Sequence, residues 1–417
     1  MNKIPGHFFN LTLGFDIYDS CGNELKAVRS VLQILSGTRE PVPNYSCRKK
    51  QNIAGFIGDL NSRTTVPIAQ ILSVYGYSQI SYGSTDPSLS DRAAFPYFFR
   101  TVQNDHRHFF ALSKLIKHFG WTWVGIVTSD DDTGEREHQL LSQYFSSDNI
   151  CVEVTIKFAI KPTSDYMLDN ESIEMFLKSS ANIIVLCGTV EYKIIMKLYQ
   201  LLEYTEYSDK TLVLTPIWAS QSHSISFLEY LLHGSLIFVP HFLDPVNMYR
   251  LRFKQFANDR HPSKYPEDVL LKQIWAETCG QDGHKCPREQ QLTGLKNFDN
   301  TFHLPGVYLA VLTMTHGLQI LLNEQSKKKN GKGNKYQYQL HHYLKRVTLT
   351  DTENQASYFD ETGEFVTELV IINLHKDHRP YLSGTPVGKY TPWAPPDHKL
   401  NITAEAIRWN TLDKKVT

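Results

Sequence analysis

At 417 residues with 41% apolar side chains, the chain is too long for one ordinary core and divides into two domains, each with enough apolar surface to bury. Lys plus Arg and Asp plus Glu each total 43, so the net charge is zero and there is no general electrostatic case for nucleic acid or an anionic membrane. Six cysteines are too few to staple a chain of this length, so packing must hold the fold.

The opening MNKIPGHFFNLTLG has one lysine and no apolar stretch behind it, so no secretion signal is expected there. From Asn52 onward, short apolar runs alternate with amphipathic stretches, the pattern of β-α units around a parallel sheet. Strands are predicted over Ile53 to Ile57, Gln79 to Tyr82, Thr122 to Val127, Cys151 to Phe158, Asn182 to Cys187, Leu212 to Leu214 and Ser235 to Val239. Helices are predicted over Thr64 to Tyr75, His108 to Phe119, Glu135 to Phe145, Ile173 to Ser180, Tyr192 to Tyr204, Asn247 to Ala257 and Leu304 to Leu322. Apolar residues recur in them at spacings of three and four, as in Leu112, Leu115, Ile116 and Phe119. No window approaches the ~20 apolar residues of a membrane span, because the richest, Val307 to Leu322, is interrupted by Thr313, Thr315 and His316. Asn323 to Tyr336, with Lys327, Lys328, Lys329, Lys332 and Lys335, reads as a solvated loop. A helical pattern resumes over Tyr338 to Val347, and Phe359 to Leu374 reads as a hairpin. The chain then turns proline-rich at Pro392, Pro395 and Pro396.

In an open α/β sheet, ligands bind beyond the carboxyl ends of the strands, where helix N-termini present free N–H groups and a positive dipole end. Those ends carry Gly58 to Ser62, then Gly83, Ser84 and Thr85, then Ser129 to Thr133, then Gly188 and Thr189. Hydroxyls and bare N–H groups suit a carboxylate, and Asp105 supplies the opposite charge for an ammonium, so together they describe a zwitterion site. Taken singly, Ser62 and Asp105 also read as helix caps. His106 with His108, and His341 with His342, lack the spacing that turns two imidazoles one way on a helix, so no metal site is expected. Asp130, Asp131 and Asp132 lack an EF-hand context and read as a strand end capping the next helix. No GxSxG elbow, Walker loop or HExxH occurs, so neither an enzyme nor a cofactor is expected. Cys279 and Cys286, in the short loop CGQDGHKC, are placed to bridge; Cys187, inside IIVLC, reads as a buried free thiol. Cys21, Cys47 and Cys151 are left open, with a Cys21 to Cys47 bridge one alternative. Asn10, Asn44, Asn170 and Asn401 lie in glycosylation sequons.

The stretches SYGSTDPSLSDRAAFPYFFRTVQND (Ser81 to Asp105), WTWVGIVTSDDDTG, PNYSC, HPSKYPEDVLLKQIW, FHLPGVYLAVLTMTHGL and VGKYTPWAPP resemble the extracellular Venus-flytrap domain of class C G-protein-coupled receptors. Within that class they are most similar to vomeronasal type 2 receptors, with calcium-sensing and amino-acid taste receptors as relatives. The resemblance implies an α/β, periplasmic-binding-protein-like fold of two lobes, each a mainly parallel sheet flanked by helices, closing on a ligand. Residues 1–106 would begin lobe 1 without its first unit, 107–242 form lobe 2, 243–363 return to lobe 1, 364–396 return to lobe 2, and 397–417 lead toward a cysteine-rich domain. Crossings are expected near Asp105, Phe242 and Glu364. By motif, the carboxylate of an amino-acid-like or peptide ligand falls to Ser62, Gly83 and Thr85, and its ammonium to Asp105; Ser84, from the same strand end, is counted with them. The chain departs from the amino-acid-sensing pattern at Thr133, where a tyrosine is usual after the Asp triplet, and at Pro216, where an acidic residue is usual. Thr133 and Pro216 thus imply a less polar second wall, to which Thr189 is expected to add a strand-end hydroxyl. The resemblance also implies a homo- or heterodimer through lobe 1, partners outside the chain for Cys21, Cys47 and Cys151, and a plasma-membrane parent with this part extracellular. Coupling to a G protein would belong to a seven-helix domain of that longer parent. A soluble solute-binding protein of the same fold is the alternative.

Overall fold

A computed structural model of the chain describes residues 13–37, 53–160, 167–204, 210–220, 228, 231–240, 253, 255–280, 286, 290–292, 304–327, 337–350, 356–376 and 382–410. In chain order the elements are α1 (Glu24–Ser36), β1 (Phe56–Ile57), α2 (Ser62–Tyr75), β2 (Gln79–Ser81), β3 (Phe98–Arg100), α3 (Asp105–His118), β4 (Trp123–Asp130), α4 (Asp132–Ser147), β5 (Cys151–Ala159), α5 (Asn170–Lys178), β6 (Ile183–Leu186), α6 (Tyr192–Tyr204) and β7 (Thr211–Leu214). They continue with α7 (Pro216–Ser220), β8 (Leu236–Pro240), α8 (Val269–Cys279), α9 (Leu304–Lys327), α10 (Leu340–Leu344), β9 (Thr348–Thr350), β10 (Ala356–Tyr358), β11 (Leu369–Lys376), β12 (Leu382–Tyr390) and β13 (Leu400–Ile402).

Two compact units emerge. Unit 1 comprises Met1–Asp105 and Gly306–Val366, and unit 2 comprises His106–Pro305 and Thr367–Thr417. The expected return near Phe242 falls outside the described residues, and residues 255–280, read from the sequence as part of a returning lobe 1, group here with unit 2. That segment packs a small core of its own, Ala257, Leu271, Trp275, Cys279 and Leu292, closed by a disulfide between Cys279 and Cys286 with Cα atoms 5.1 Å apart. A self-contained core leaves little in the apolar pattern to say which sheet it joins.

Unit 1 holds a parallel sheet in the order β1-β2-β3, with Phe56 paired to Gln79 and Gln79 to Phe98, and a separate antiparallel pair β9-β10. Ala27 and Val31 of α1 meet Ile68 and Leu72 of α2, apolar positions three or four apart that form one stripe on each helix. Asn23 caps α1 by accepting from the Lys26 N–H at 3.0 Å, and Gly37 ends it at φ +67°. In α9 the hydroxyls of Thr313 and Thr315 donate to the carbonyls of Leu309 and Val311, both at 2.7 Å. Back-bonded in this way, they do not interrupt the apolar run. By length and composition alone, and contrary to expectation, Leu304–Ser326 is long and apolar enough to cross a membrane. It is also a core helix, with 56% of the apolar window buried and Leu309, Ala310, Leu318 and Leu321 inside.

Unit 2 is built on one eight-stranded sheet, β13-β12-β11-β8-β7-β6-β4-β5, parallel from β5 to β8 and antiparallel through β11, β12 and β13. The α/β class with a mostly parallel sheet follows the sequence pattern. Phe109, Leu112, Leu115 and Ile116 of α3 lie in one core with Val124 and Ile126 of β4, Phe145 of α4 and Leu369 and Ile371 of β11. Each such side chain is worth about 1.5–3 kcal/mol when fully buried. The hairpin expected over Phe359 to Leu374 is smaller and differently partnered. Phe359 and Phe365 pair across a tight turn, but beyond Val366 the chain enters unit 2 as β11, whose antiparallel partners are β8 and β12.

Candidate functional site

In unit 1 the residues singled out from the sequence gather around the loop that leaves β2. The Ser81 hydroxyl donates to the Asp59 carbonyl at 2.7 Å and accepts the N–H groups of Gly83 at 3.3 Å and Ser84 at 3.0 Å. Gly83 admits no side chain, because a Cβ there would stand 2.4 Å from Leu60 Cδ1 and 2.9 Å from the Leu60 carbonyl. Ser62 begins α2 but does not cap it: position Asn61 is the N-cap, without a side-chain bond. The Ser62 hydroxyl instead accepts from Ser84 Oγ at 3.0 Å and from the Asp86 N–H at 3.2 Å, tying the helix start to the loop. Asp105 is 4% exposed and opens α3 itself, with its N–H on the Thr85 carbonyl at 3.0 Å. Ser62, Gly83, Ser84, Thr85 and Asp105 are thus brought together by the Ser62 and Ser81 hydroxyls and by the main-chain bond from Asp105 to Thr85.

Thr85 is the exception to this mutual satisfaction. It is half-buried, its carbonyl is used, and among the described residues its N–H and hydroxyl make no hydrogen bond. The first turn of α2, with N–H groups that no helical carbonyl can reach, lies at the other end of the Ser62 contact. Beside the loop, the Tyr82 phenol is pushed up first by burial and then by Asp59, which keeps it a neutral donor.

Beneath the loop lies a feature that sequence reading missed. Arg100 and Glu364 form an ion pair at 2.8 Å, each side chain 1% exposed. Arg100 Nη1 donates to the carbonyls of Ser84 at 3.2 Å and Asp86 at 2.8 Å, and Nη2 also reaches Ser90 Oγ. Glu364 accepts from Ser90 Oγ at 2.6 Å, from Asn104 Nδ2 at 2.7 Å and from the Asn104 N–H at 3.2 Å. An arginine and a glutamate 264 positions apart carry no pairing signal in one sequence.

Unit 2 presents Thr133, Thr189 and Pro216 at the carboxyl ends of β4, β6 and β7. Asp131 caps α4 through the Gly134 N–H at 2.9 Å, as the acidic triplet suggested, and accepts the Ser129 hydroxyl at 2.5 Å and the Thr189 hydroxyl at 2.6 Å. The Thr189 N–H donates to Ser129 Oγ at 2.8 Å, and the Gly188 N–H to buried Glu137 at 2.6 Å. Gly188, at φ +84°, lets the chain pass where a Cβ would meet Ser129 Oγ and Thr128 Oγ1 at 2.6 Å. Pro216 opens α7, and Thr133 is half-buried in the first turn of α4.

Elsewhere, among the described residues, Cys187 is buried and Cys21 and Cys151 are exposed, and none of the three is in a disulfide. Asn170 and Asn401 are exposed; Asn10, Asn44 and Cys47 lie outside the described residues. No group of three or more metal-ligating side chains occurs among the described residues.

A family model described as the receptor family ligand binding region matches residues 1–377. The chain is 27% identical to vomeronasal type-2 receptor 26 of Mus musculus over 297 residues, 70% of this chain and 33% of the relative. It is 24% identical to the extracellular calcium-sensing receptor of Homo sapiens over 474 residues, 100% of this chain and 42% of the relative. Taste receptor type 1 member 2 of Rattus norvegicus is 26% identical, over 99% of this chain and 48% of the relative. The chain spans less than half the length of these curated relatives. It belongs to the receptor family of ligand-binding regions, in the branch carried by class C G-protein-coupled receptors.

Proposed function

We propose that this chain is the ligand-binding ectodomain of a vomeronasal type 2-like chemosensory receptor, and that its unit 1 binds the α-amino and α-carboxyl groups of an amino-acid-like or peptide ligand. The observation that carries this reading is Thr85: a half-buried N–H and hydroxyl left unbonded among the described residues, joined by its own carbonyl to Asp105. A carboxylate takes the Thr85 donors and the first-turn N–H groups of α2, where the dipole favours negative charge. Its ammonium pairs with Asp105, whose burial makes a cationic partner valuable. The five unit 1 residues carry the proposal. The receptor is placed in the plasma membrane with this part outside, as a homo- or heterodimer, and signalling to a G protein is assigned to a longer parent. A ligand acts there by population shift, moving the receptor toward whichever state binds it better.

Calorimetry with the twenty L-amino acids and a set of short peptides tests this. Asp105→Ala is expected to weaken a bound amine by about 1.5–3 kcal/mol, the worth of a hydrogen bond to a charged group, or roughly ten- to hundredfold in Kd. Equal binding by wild type and a folded Asp105→Ala variant would rule out the zwitterion site.

A further inference from the structure

We propose that the buried Arg100–Glu364 pair is the positioning device of the candidate site, setting the peptide orientations on both its carboxylate and its ammonium side. Only the ligand readout below rests on the proposed function. The reason begins with the planar peptide, in which a carbonyl and the following N–H point in opposite directions. Arg100 takes the Ser84 carbonyl, so the Thr85 N–H that shares that plane is aimed away from the guanidinium. In the next plane the Thr85 carbonyl accepts from Asp105 while the Asp86 N–H donates to Ser62 Oγ. One plane further, the Asp86 carbonyl is again held by Arg100. Three consecutive planes around Thr85 are thereby fixed, and two of them depend on one guanidinium.

Glu364 does the same for the other side. Its Oε2 accepts the backbone N–H of Asn104, the residue immediately before Asp105, while its Oε1 accepts the Asn104 side-chain amide together with Arg100 Nη2. A role in stability alone accounts poorly for this arrangement. Burying two charges carries a desolvation cost that apolar side chains of similar volume avoid, often with equal or greater stability. What apolar side chains cannot supply is directed donors to the carbonyls of Ser84 and Asp86 and directed acceptors for Asn104.

The double variant Arg100→Met/Glu364→Met separates the two roles, because it leaves no unpaired buried charge. Its thermal midpoint is read together with amide hydrogen exchange of the full chain, and affinity is measured for whichever L-amino acids the wild type binds. The expected result is a folded variant in which the amides of Ser84, Asp86 and Asp105 exchange at least tenfold faster, those of Ala69 to Tyr75 in α2 stay within twofold, and affinity falls at least tenfold. Unchanged exchange at those three amides in the folded variant overturns the proposal, whatever the ligand does. If the double variant does not fold, Glu364→Gln carries the same comparison: at least threefold faster exchange at Asp105 with α2 unmoved supports positioning, and equal exchange overturns it. A wild type that binds none of the panel overturns the proposed function instead, and the exchange comparison still decides the positioning.

Discussion

The strand ends of unit 1 and unit 2 carry similar residues and use them in opposite ways. In unit 2 the polar groups close on one another: Asp131 accepts from Ser129, Gly134 and Thr189, while Ser129 in turn accepts the Thr189 N–H. In unit 1 the loop is supported from below by a buried ion pair, and among the described residues the Thr85 N–H and hydroxyl are not taken up. The difference teaches that a hydroxyl-rich strand end is not in itself a binding wall. A ligand gains most where support comes from groups that do not consume the donors at the surface.

The largest expected effect breaks that support. Arg100→Ala leaves the Glu364 carboxylate buried without its cation and should cost about 3–5 kcal/mol of stability, measured by denaturant unfolding. A loss under ~1 kcal/mol would mean that the pair is far more hydrated than its 1% exposure indicates. Asp131→Ala in unit 2 removes a helix cap and two hydroxyl partners, with an expected cost of about 1–2 kcal/mol in stability. Amino-acid affinity should stay within twofold in that variant; a tenfold fall would move the binding wall into unit 2. Ser62→Ala is the milder counterpart in unit 1. Losing the contacts to Ser84 and Asp86 should weaken ligand binding by about 0.5–1.5 kcal/mol, read by calorimetry.

Acid separates the units more gently. The His341 imidazole in unit 1 is lowered from 6.5 to about 4, first by burial and then by the nearby charges of His342, Lys345 and Arg92. The unfolded chain therefore binds the proton more readily, and stability present above pH 6.5 is lost as pH falls toward 4. Glu153 in unit 2 is held down from 4.5 to about 2, first by the Ser179 hydroxyl and, against some burial, by Ser180 and Ala181. Its contribution is complete above 4.5 and fades as pH falls toward 2. Exchange-monitored titration should show unit 1 loosening at the higher pH, and His341→Gln should flatten that upper window.

The parallel β-α pattern was legible because β6, β7 and β8 are continuous apolar runs, β5 alternates apolar with polar residues, and the intervening helices carry apolar stripes. The Cys279–Cys286 bridge was legible from a short loop, and buried Cys187 from the run around it. β3 was not, since Phe98–Arg100 is too short to show a period, nor were β12 and β13, whose identity depends on pairing with β11. Ser62 misled for a related reason. Its type and position fit a cap, but a loop two dozen residues on competes for the hydroxyl and takes it.

Local order and chemistry, then, belong to the sequence alone. Periodicity set the α/β class, and residue type placed Ser62, Gly83, Ser84, Thr85 and Asp105 as candidates, because burial pattern and hydrogen-bonding capacity are properties of neighbouring residues. Tertiary structure alone decided which hydroxyls are already occupied and that Arg100 meets Glu364. Those outcomes depend on contacts between distant segments, which a single sequence does not encode in any local pattern.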